Sequence, residues 1–347
     1  MDAGVLADFL RSLLGKATLL PGTDLDVLVI ANPRAGGFTR RAIAKRHLSD
    51  MNGLSGRAAL LGPRRGSVAL RLERTERRGH AYEMARDALA VRREGRELLI
   101  VCAGGDGTAH EIQSALMDAD AAARSRTIVL RLPMGTGNDG SDGRTLVDSL
   151  GRLLGPSRVE PSRAILASAR NGAIRRYAFN IASIGLDAYV THMTNKLKGV
   201  LPGDSYKLWL DIASVFYDKT YDVSEMEALY RCAAGTAERR QANELVAMGV
   251  TGRRTYGSNV LILPDDDNVC AIRKTSIARK LALKKAVAEA AHRGMDEVEF
   301  FRADRVEIRY DRPVLAQFDG ETLLLGPADF PFVMELTEPS IRTIVRA

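Results

Sequence analysis

"VCAGGDGTAHEI", residues 101–112, carries an apolar strand into Gly-Gly-Asp-Gly-Thr and out again into a helical pattern. Glycines at such an exit let the backbone turn tightly and aim successive N–H groups at an anion, and the helix that follows adds the positive end of its dipole. Asp106 sits in the middle of this run. It would repel a bare phosphate, so a nucleotide carrying a divalent cation suits the loop better than phosphate alone. The bland alternative is a glycine-rich strand-to-helix turn with Asp106 as helix cap, and the stretch by itself leaves both open. Neither a Walker A loop nor a Gly-x-Gly-x-x-Gly fingerprint accompanies it.

The flanking sequence repeats the strand-then-helix texture. "DVLVIANP", "SVALRLERT", "ELLIVCAGG" and "TIVLRLPMG" read as strands, with "RRAIAKRHLSDM", "HAYEMARDALAVRRE" and "AHEIQSALMDA" as helices between them. That alternation predicts a doubly wound α/β domain over residues 1–155, its parallel sheet covered on both faces. Ligands of such sheets bind beyond the carboxyl ends of the strands. Three strands end in "NPRAGG", "GGDGT" and "PMGTGND", so these loops are expected to converge on one crevice. From Pro156 the texture changes to short strand-like segments in close succession, interrupted by helices near 187–198, 204–218 and 276–292. A β-rich antiparallel sandwich or barrel is predicted over 156–347. The ending, "EPSIRTIVRA", is left open as a segment that folds back on the first domain.

Composition narrows the partners. A formal charge of +7 and a pI near 9.4 favour an acidic partner: nucleotide, anionic membrane or nucleic acid. Aromatic residues are only 5%, which ranks nucleic acid below the other two, because single-strand binding relies on stacking. The three cysteines, Cys102, Cys232 and Cys270, show no paired spacing, and a reducing cytoplasm is expected. No run of about twenty apolar residues suggests a membrane span. The amino-terminal stretch places Val5, Leu6, Phe9, Leu10, Leu13 and Leu14 at helical spacing, which predicts a helix packed on the domain behind it, with a membrane-surface role as the alternative.

Taken together, the loops resemble the diacylglycerol kinase catalytic domain, shared by diacylglycerol, sphingosine and ceramide kinases and related bacterial lipid kinases. The resemblance extends to "LERTERRGHAYEMARDAL", "FNIASIGLDAYV" and "FDGE", which occur in family order between residues 26 and 325. It implies a first domain of the NAD kinase and diacylglycerol kinase type that binds ATP through Asn32, Thr75, Gly104, Gly105, Asp106, Gly107, Thr108, Gly135, Thr136 and Asn138. It also implies Mg2+ at Asp106 with Asp139 in the same network, and Glu321, with Asp319 beside it, as proton acceptor. A lipid hydroxyl is a poor nucleophile at neutral pH, so a carboxylate that orients it and takes its proton is worth roughly a hundred- to ten-thousand-fold. Read without the resemblance, Asp-Gly between alternating apolar strands is a favoured hairpin turn in which Asp319 tolerates positive φ.

"LPDDDNVCAI" poses a metal question, since clustered carboxylates after a strand can hold a hard cation. The family has a structural Mg2+ in the corresponding hairpin, which would make Asp267 a ligand; a solvated acidic turn is the alternative. Departures from the family pattern fall in "GSDGRTL" (140–146), at Thr251-Gly252 and in "YGSN" (256–259). The resulting expectation is a cytoplasmic lipid kinase, peripherally associated with an anionic membrane, using ATP and Mg2+, with diacylglycerol as default substrate and a homodimer left open. An NAD kinase-like enzyme and a catalytically silent nucleotide or lipid sensor are the rivals. The basic helix "SIARKLALKKAVAEAAHR" either covers a sheet or faces lipid.

Overall fold

Strands buried on both faces lose the polar alternation of a half-exposed sheet, and the central strands of this protein show that loss. In the computed structural model, which describes residues 1–91, 93–135, 138, 142–197, 217, 221, 223–256 and 260–347, the chain divides into two units. The first comprises Met1–Arg163 and Pro339–Ala347, the second Ala164–Glu338. The division falls beyond the textural change at residue 155, and the terminal segment lies in the first unit.

The first unit runs α1 (Ala3–Leu14), β1 (Asp24–Ala31), the one-turn α2 (Gly36–Thr39), α3 (Arg41–Ala59), β2 (Val68–Arg74), α4 (His80–Ala90), β3 (Arg96–Ala103), α5 (Asp106–Asp118), α6 (Ala121–Ser125), β4 (Thr127–Arg131), α7 (Leu146–Gly151) and β5 (Ser157–Ser162). With the final strand, Ile341–Arg346, these strands form one sheet in the order β2-β1-β3-β4-final strand-β5. The first five in that order are parallel neighbours, and β5 is the antiparallel edge. Val27, Val29, Leu99, Val101, Ile128 and Leu130 share a core with Leu6, Leu10 and Leu13 of α1 and with Met51 and Leu54 of α3. The alternate residues Leu28, Ile30, Ile100 and Val129 are fully buried as well, and α4 and α5 touch β1 and β3. α1 is therefore part of the core, as its spacing predicts.

Register sets up the site. Ala31 pairs with Ala103 and Cys102 with Arg131, so β1, β3 and β4 end at one level and in adjacent positions.

The second unit contains β6 (Ile165–Ala169), β7 (Arg175–Ala178), β8 (Ile181–Gly185), α8 (Leu186–Leu197), β9 (Glu225–Cys232), β10 (Gly235–Gly249), β11 (Arg254–Tyr256), β12 (Val260–Leu263), β13 (Val269–Arg273), α9 (Ile277–Ala288), β14 (Val298–Phe301), β15 (Arg305–Arg309), β16 (Val314–Phe318), β17 (Glu321–Leu325) and β18 (Phe332–Leu336). Its strand pairs are antiparallel. The long β10 pairs with β9 through its first half and with β8 and β13 through its second, so it belongs to two leaves. Ile165, Tyr230 and Met334 from one leaf meet Ile184, Val246 and Phe318 from the other in a single core. The helix expected over 204–218 lies outside the described residues, apart from Tyr217.

Candidate functional site

The three strand exits of the first unit meet. Asn32 continues β1 by donating its N–H to Ala103 O at 3.0 Å, and its Nδ2 donates to Thr108 Oγ1 at 3.3 Å in the first turn of α5. Gly37 N donates to Met134 O at 2.8 Å, tying the loop after β1 to the loop after β4. Gly105 and Gly135 lie against each other: a Cβ on Gly135 would stand 2.7 Å from the Gly105 Cα. Asn138, at φ +59, accepts from Gly135 N through Oδ1 at 2.7 Å and returns Nδ2 to Gly135 O at 3.1 Å, closing a tight loop after β4. Thr75 joins the same row of exits, its N–H donating to Ala31 O at 2.9 Å.

Asp106 is the first helical residue of α5, and Gly105 is the N-cap. Asp106 as helix cap is thus corrected: a glycine cap has no side chain to occupy the first-turn amides, which remain suited to an anion. The Asp106 carboxylate instead accepts the Asn138 N–H at 3.0 Å, so it is aimed along the mouth of the loops. A single carboxylate at a helix start fits a magnesium ion that keeps waters and is carried by substrate phosphates, the usual mode for this cation. Of the predicted residues, Thr136 and Asp139 lie outside the described residues.

Two residues that sequence reasoning passed over hold this arrangement. Asp142, within the divergent "GSDGRTL", is buried, accepts Arg131 N at 2.5 Å and pairs with the Arg131 guanidinium at 2.9 Å. The pair fastens both ends of the loop after β4. Glu111 of α5 accepts the N–H groups of Gly79 and Ala81 at 2.8 and 3.1 Å, capping α4. His47 lies behind Gly37, where a Cβ on the glycine would come within 3.0 Å of its ring. Burial, then the Arg46 charge, hold the His47 pKa below its ordinary value.

In the second unit, Phe318 pairs with Glu321, leaving Asp319 and Gly320 as a two-residue turn with φ +50 and +96. Positive φ at both central residues is the type I′ signature that Asp-Gly favours. The Asp319 carboxylate accepts three main-chain N–H groups, from Phe179 (2.5 Å), Asn180 (2.9 Å) and Ile181 (3.0 Å). It therefore anchors the turn to the start of β8. Glu321 opens β17, half-buried, on the far side of the turn. α8 braces the hairpin: Asn195 Nδ2 donates to Gly320 O at 3.0 Å, and His192 Nδ1 lies 3.1 Å from Thr322 Oγ1. Buried Asp187 accepts from Ser183 Oγ and Gln317 Nε2, and Gln317 Oε1 accepts from Gly320 N. The "Gly-Leu-Asp-Ala" segment thus supplies the support of the acidic turn.

The other acidic turn is closed by arginine. Arg293 pairs with Asp265 and, at 2.5 Å, with Asp267, while Arg253 pairs with Asp266 at 3.0 Å. The Arg293 guanidinium also lies 4.4 Å from the centre of the Phe300 ring, and its hydrogen bond to Asp267 moves its pKa up. Asp267, expected as a metal ligand, faces the Arg293 guanidinium in this geometry, as does Asp265. Among the described residues no cluster of three or more His, Cys, Asp or Glu side chains is arranged to hold a metal.

Comparison with known proteins agrees with this geometry. The model of the diacylglycerol kinase catalytic domain matches residues 26–147, the stretch that carries all three strand exits. A protein of Pseudomonas fluorescens named "Probable lipid kinase YegS-like" is 30% identical over 280 residues, 77% of this chain and 84% of its own. A protein of the same name from an Enterobacter species is 26% identical over 212 residues, 60% of this chain and 64% of its own. The crystal structure of a diacylglycerol kinase from Bacillus anthracis superposes with a TM-score of 0.54 at 15% identity, covering 92% of this chain and 96% of that one. A second crystal structure from that organism reaches 0.58 at 16% identity, covering 94% and 96%. The chain is a lipid kinase-type transferase with an α/β domain and an antiparallel β-rich domain. It belongs to the diacylglycerol kinase catalytic domain family.

Proposed function

We propose that the protein transfers the γ-phosphoryl group of ATP to a lipid hydroxyl, with diacylglycerol the first acceptor to test. The observation that carries this reading is the meeting of the β1, β3 and β4 exits at the amino terminus of α5, with Asp106 aimed along them. Backbone amides of the glycine run and the first turn of α5 hold the phosphates, and Asn32 and Thr108 fix the adjoining loops. A magnesium ion, when bound, offsets charge on the phosphates, and Asp106 positions it. Glu321 takes the proton of the attacking hydroxyl as its oxygen bonds to phosphorus and ADP departs. Asp319, committed to three amides, acts as a positioning residue for that hairpin. Such a transition state asks mainly for positioning and charge stabilisation, which suits a site built from amides and one acid.

Labelled ATP offered with mixed lipid vesicles, dispersed diacylglycerol or NAD tests the reading. Phosphorylated lipid is expected, and Asp106→Ala is expected to lower turnover about a thousandfold at unchanged melting temperature. Phosphorylation of NAD alone, or undiminished turnover in Asp106→Ala, would sink it.

A further inference from the structure

α9 faces outward with the side that hydrophobic burial alone would turn inward. Ile277 and Leu281, one turn apart and on one face, are 46% and 54% exposed, whereas Lys280 is only 7% exposed. The inward lysine is fixed by an ion pair, Lys280 Nζ to Glu244 at 2.9 Å, and Glu244 is itself 1% exposed. Leu283 and Val287 supply the apolar contact that seats the helix on Ile262, Leu263 and Ile272. The helix therefore has two apolar faces, one used by the core and one presented to solvent.

The outward face is also cationic. Residues 273–285, "RKTSIARKLALKK", contain six basic side chains and no acid. Arg273, Lys274, Lys284 and Lys285 are exposed around Ile277 and Leu281. Arg273 and Lys274 donate to the neutral carbonyls of Asp296 and Val223, contacts that fix their direction without cancelling their charge. Arg279 is held by Glu297 through two hydrogen bonds. Exposed aliphatic side chains ringed by lysine and arginine match the boundary of an anionic bilayer, where apolar groups enter the acyl region and cations meet lipid headgroups. A protein partner would have to supply a pocket and acids at the same spacing; a bilayer supplies both everywhere.

We infer that the outward face of α9 docks the second unit on an anionic lipid surface, by insertion of Ile277 and Leu281 and headgroup contacts of Lys274, Lys284 and Lys285. The inference deepens the proposed lipid-kinase reading and rests on it only for its purpose, because a kinase acting on a bilayer lipid must first settle there.

Flotation of the full chain, without nucleotide, is the test, with vesicles of phosphatidylglycerol and phosphatidylcholine set against phosphatidylcholine alone. Wild type is expected to bind the anionic vesicles, with salt weakening the binding. Ile277→Ser with Leu281→Ser is expected to lower it about tenfold at unchanged melting temperature, and Lys284→Glu with Lys285→Glu to remove most of its salt dependence. Undiminished vesicle binding by both variants overturns the inference, as does a dimer that the serine variant dissociates without loss of vesicle binding. Phosphorylation of lipid dispersed in detergent, measured in parallel, reports on the kinase reading alone: its absence with α9-dependent binding retained removes the activity and leaves the docking face standing.

Discussion

The glycine loops of the first unit and the acidic turns of the second are both short connections after buried strands, yet they are held in opposite ways. In the first, small and neutral groups share the holding with one buried ion pair, Asp142–Arg131: Gly105 lies against Gly135, and Asn138 closes a loop on Gly135. The one acid of the run, Asp106, accepts the Asn138 N–H and stands at a helix start where positive potential collects. In the second, acids are the structure. Asp319 holds three amides, and Asp265, Asp266 and Asp267 are paired with Arg293 and Arg253. The three consecutive carboxylates are met by guanidinium groups of their own chain.

The comparison breaks most visibly at the β16–β17 turn, where two neighbouring acids are assigned opposite duties. Glu321→Gln is expected to cost roughly a hundred- to ten-thousand-fold in turnover while the melting curve stays put. Asp319→Ala is expected to lower stability by about 3 kcal/mol, since it strands three amide donors at the start of β8. Steady-state turnover and urea titration on the two variants check this together. Exchanged outcomes, a stable but inactive Asp319→Ala and an unstable Glu321→Gln, would reverse the assignment. On the neutral side, Gly135→Ala forces a Cβ to within 2.7 Å of the Gly105 Cα. A loss of about 1–3 kcal/mol is expected, with nucleotide affinity falling alongside it. Isothermal titration with ATP and a thermal melt would show both.

The central strands were legible because burial on both faces writes itself as uninterrupted apolar runs, as in "DLDVLVIA" and "RELLIVCA". Convergence of the three exits followed from parallel neighbours ending at one level. β5 was invisible: "SRVEPS" has neither alternation nor β-rich composition, and it becomes a strand only as the edge partner of the chain's last segment. That pairing spans nearly the whole sequence, a distance at which local pattern carries no information. The same holds for Arg293, which reaches Asp265 and Asp267 from beyond α9, and for Asp142, whose meaning depends on Arg131 standing at the end of β4. Charge partners distant in sequence leave no periodic trace. Asp319 was legible as a turn residue from its Asp-Gly spacing, but its three amides lie about 140 residues upstream and could be seen only in the fold.

Smaller effects sharpen the contrast between neutral and charged construction. If a guanidinium serves where a metal would otherwise sit, EDTA leaves the wild-type melting temperature unchanged, and Arg293→Met lowers stability by about 1 kcal/mol, a modest figure because the pair is partly exposed. The variant also leaves Asp265 and Asp267 facing each other, so millimolar Mg2+ or Ca2+ is expected to restore part of the loss; differential scanning fluorimetry reads both, and an EDTA-sensitive wild type would refute the guanidinium reading.

The faintest expected effect is on acid stability, and it separates the units. His47 behind the glycine loop and His292 under α9 are both buried, and burial is the first cause that lowers the pKa of each. A histidine whose folded pKa is depressed binds more protons unfolded than folded. Its contribution is complete above about pH 6.5 and is lost as pH falls from there through the folded value. The Nδ1 of each lacks a hydrogen-bond partner among the described residues, and the Nε2 of His292 donates to Ile262 O at 3.0 Å. Replacing His47 with Gln should flatten the acid limb of stability in the first unit alone. Hydrogen exchange between pH 7.5 and 5.5 would locate the change: protection in α3 is expected to become pH-independent while that around α9 still falls with acid, and equal flattening in both units would mean that one cooperative transition, not two local ones, carries the titration.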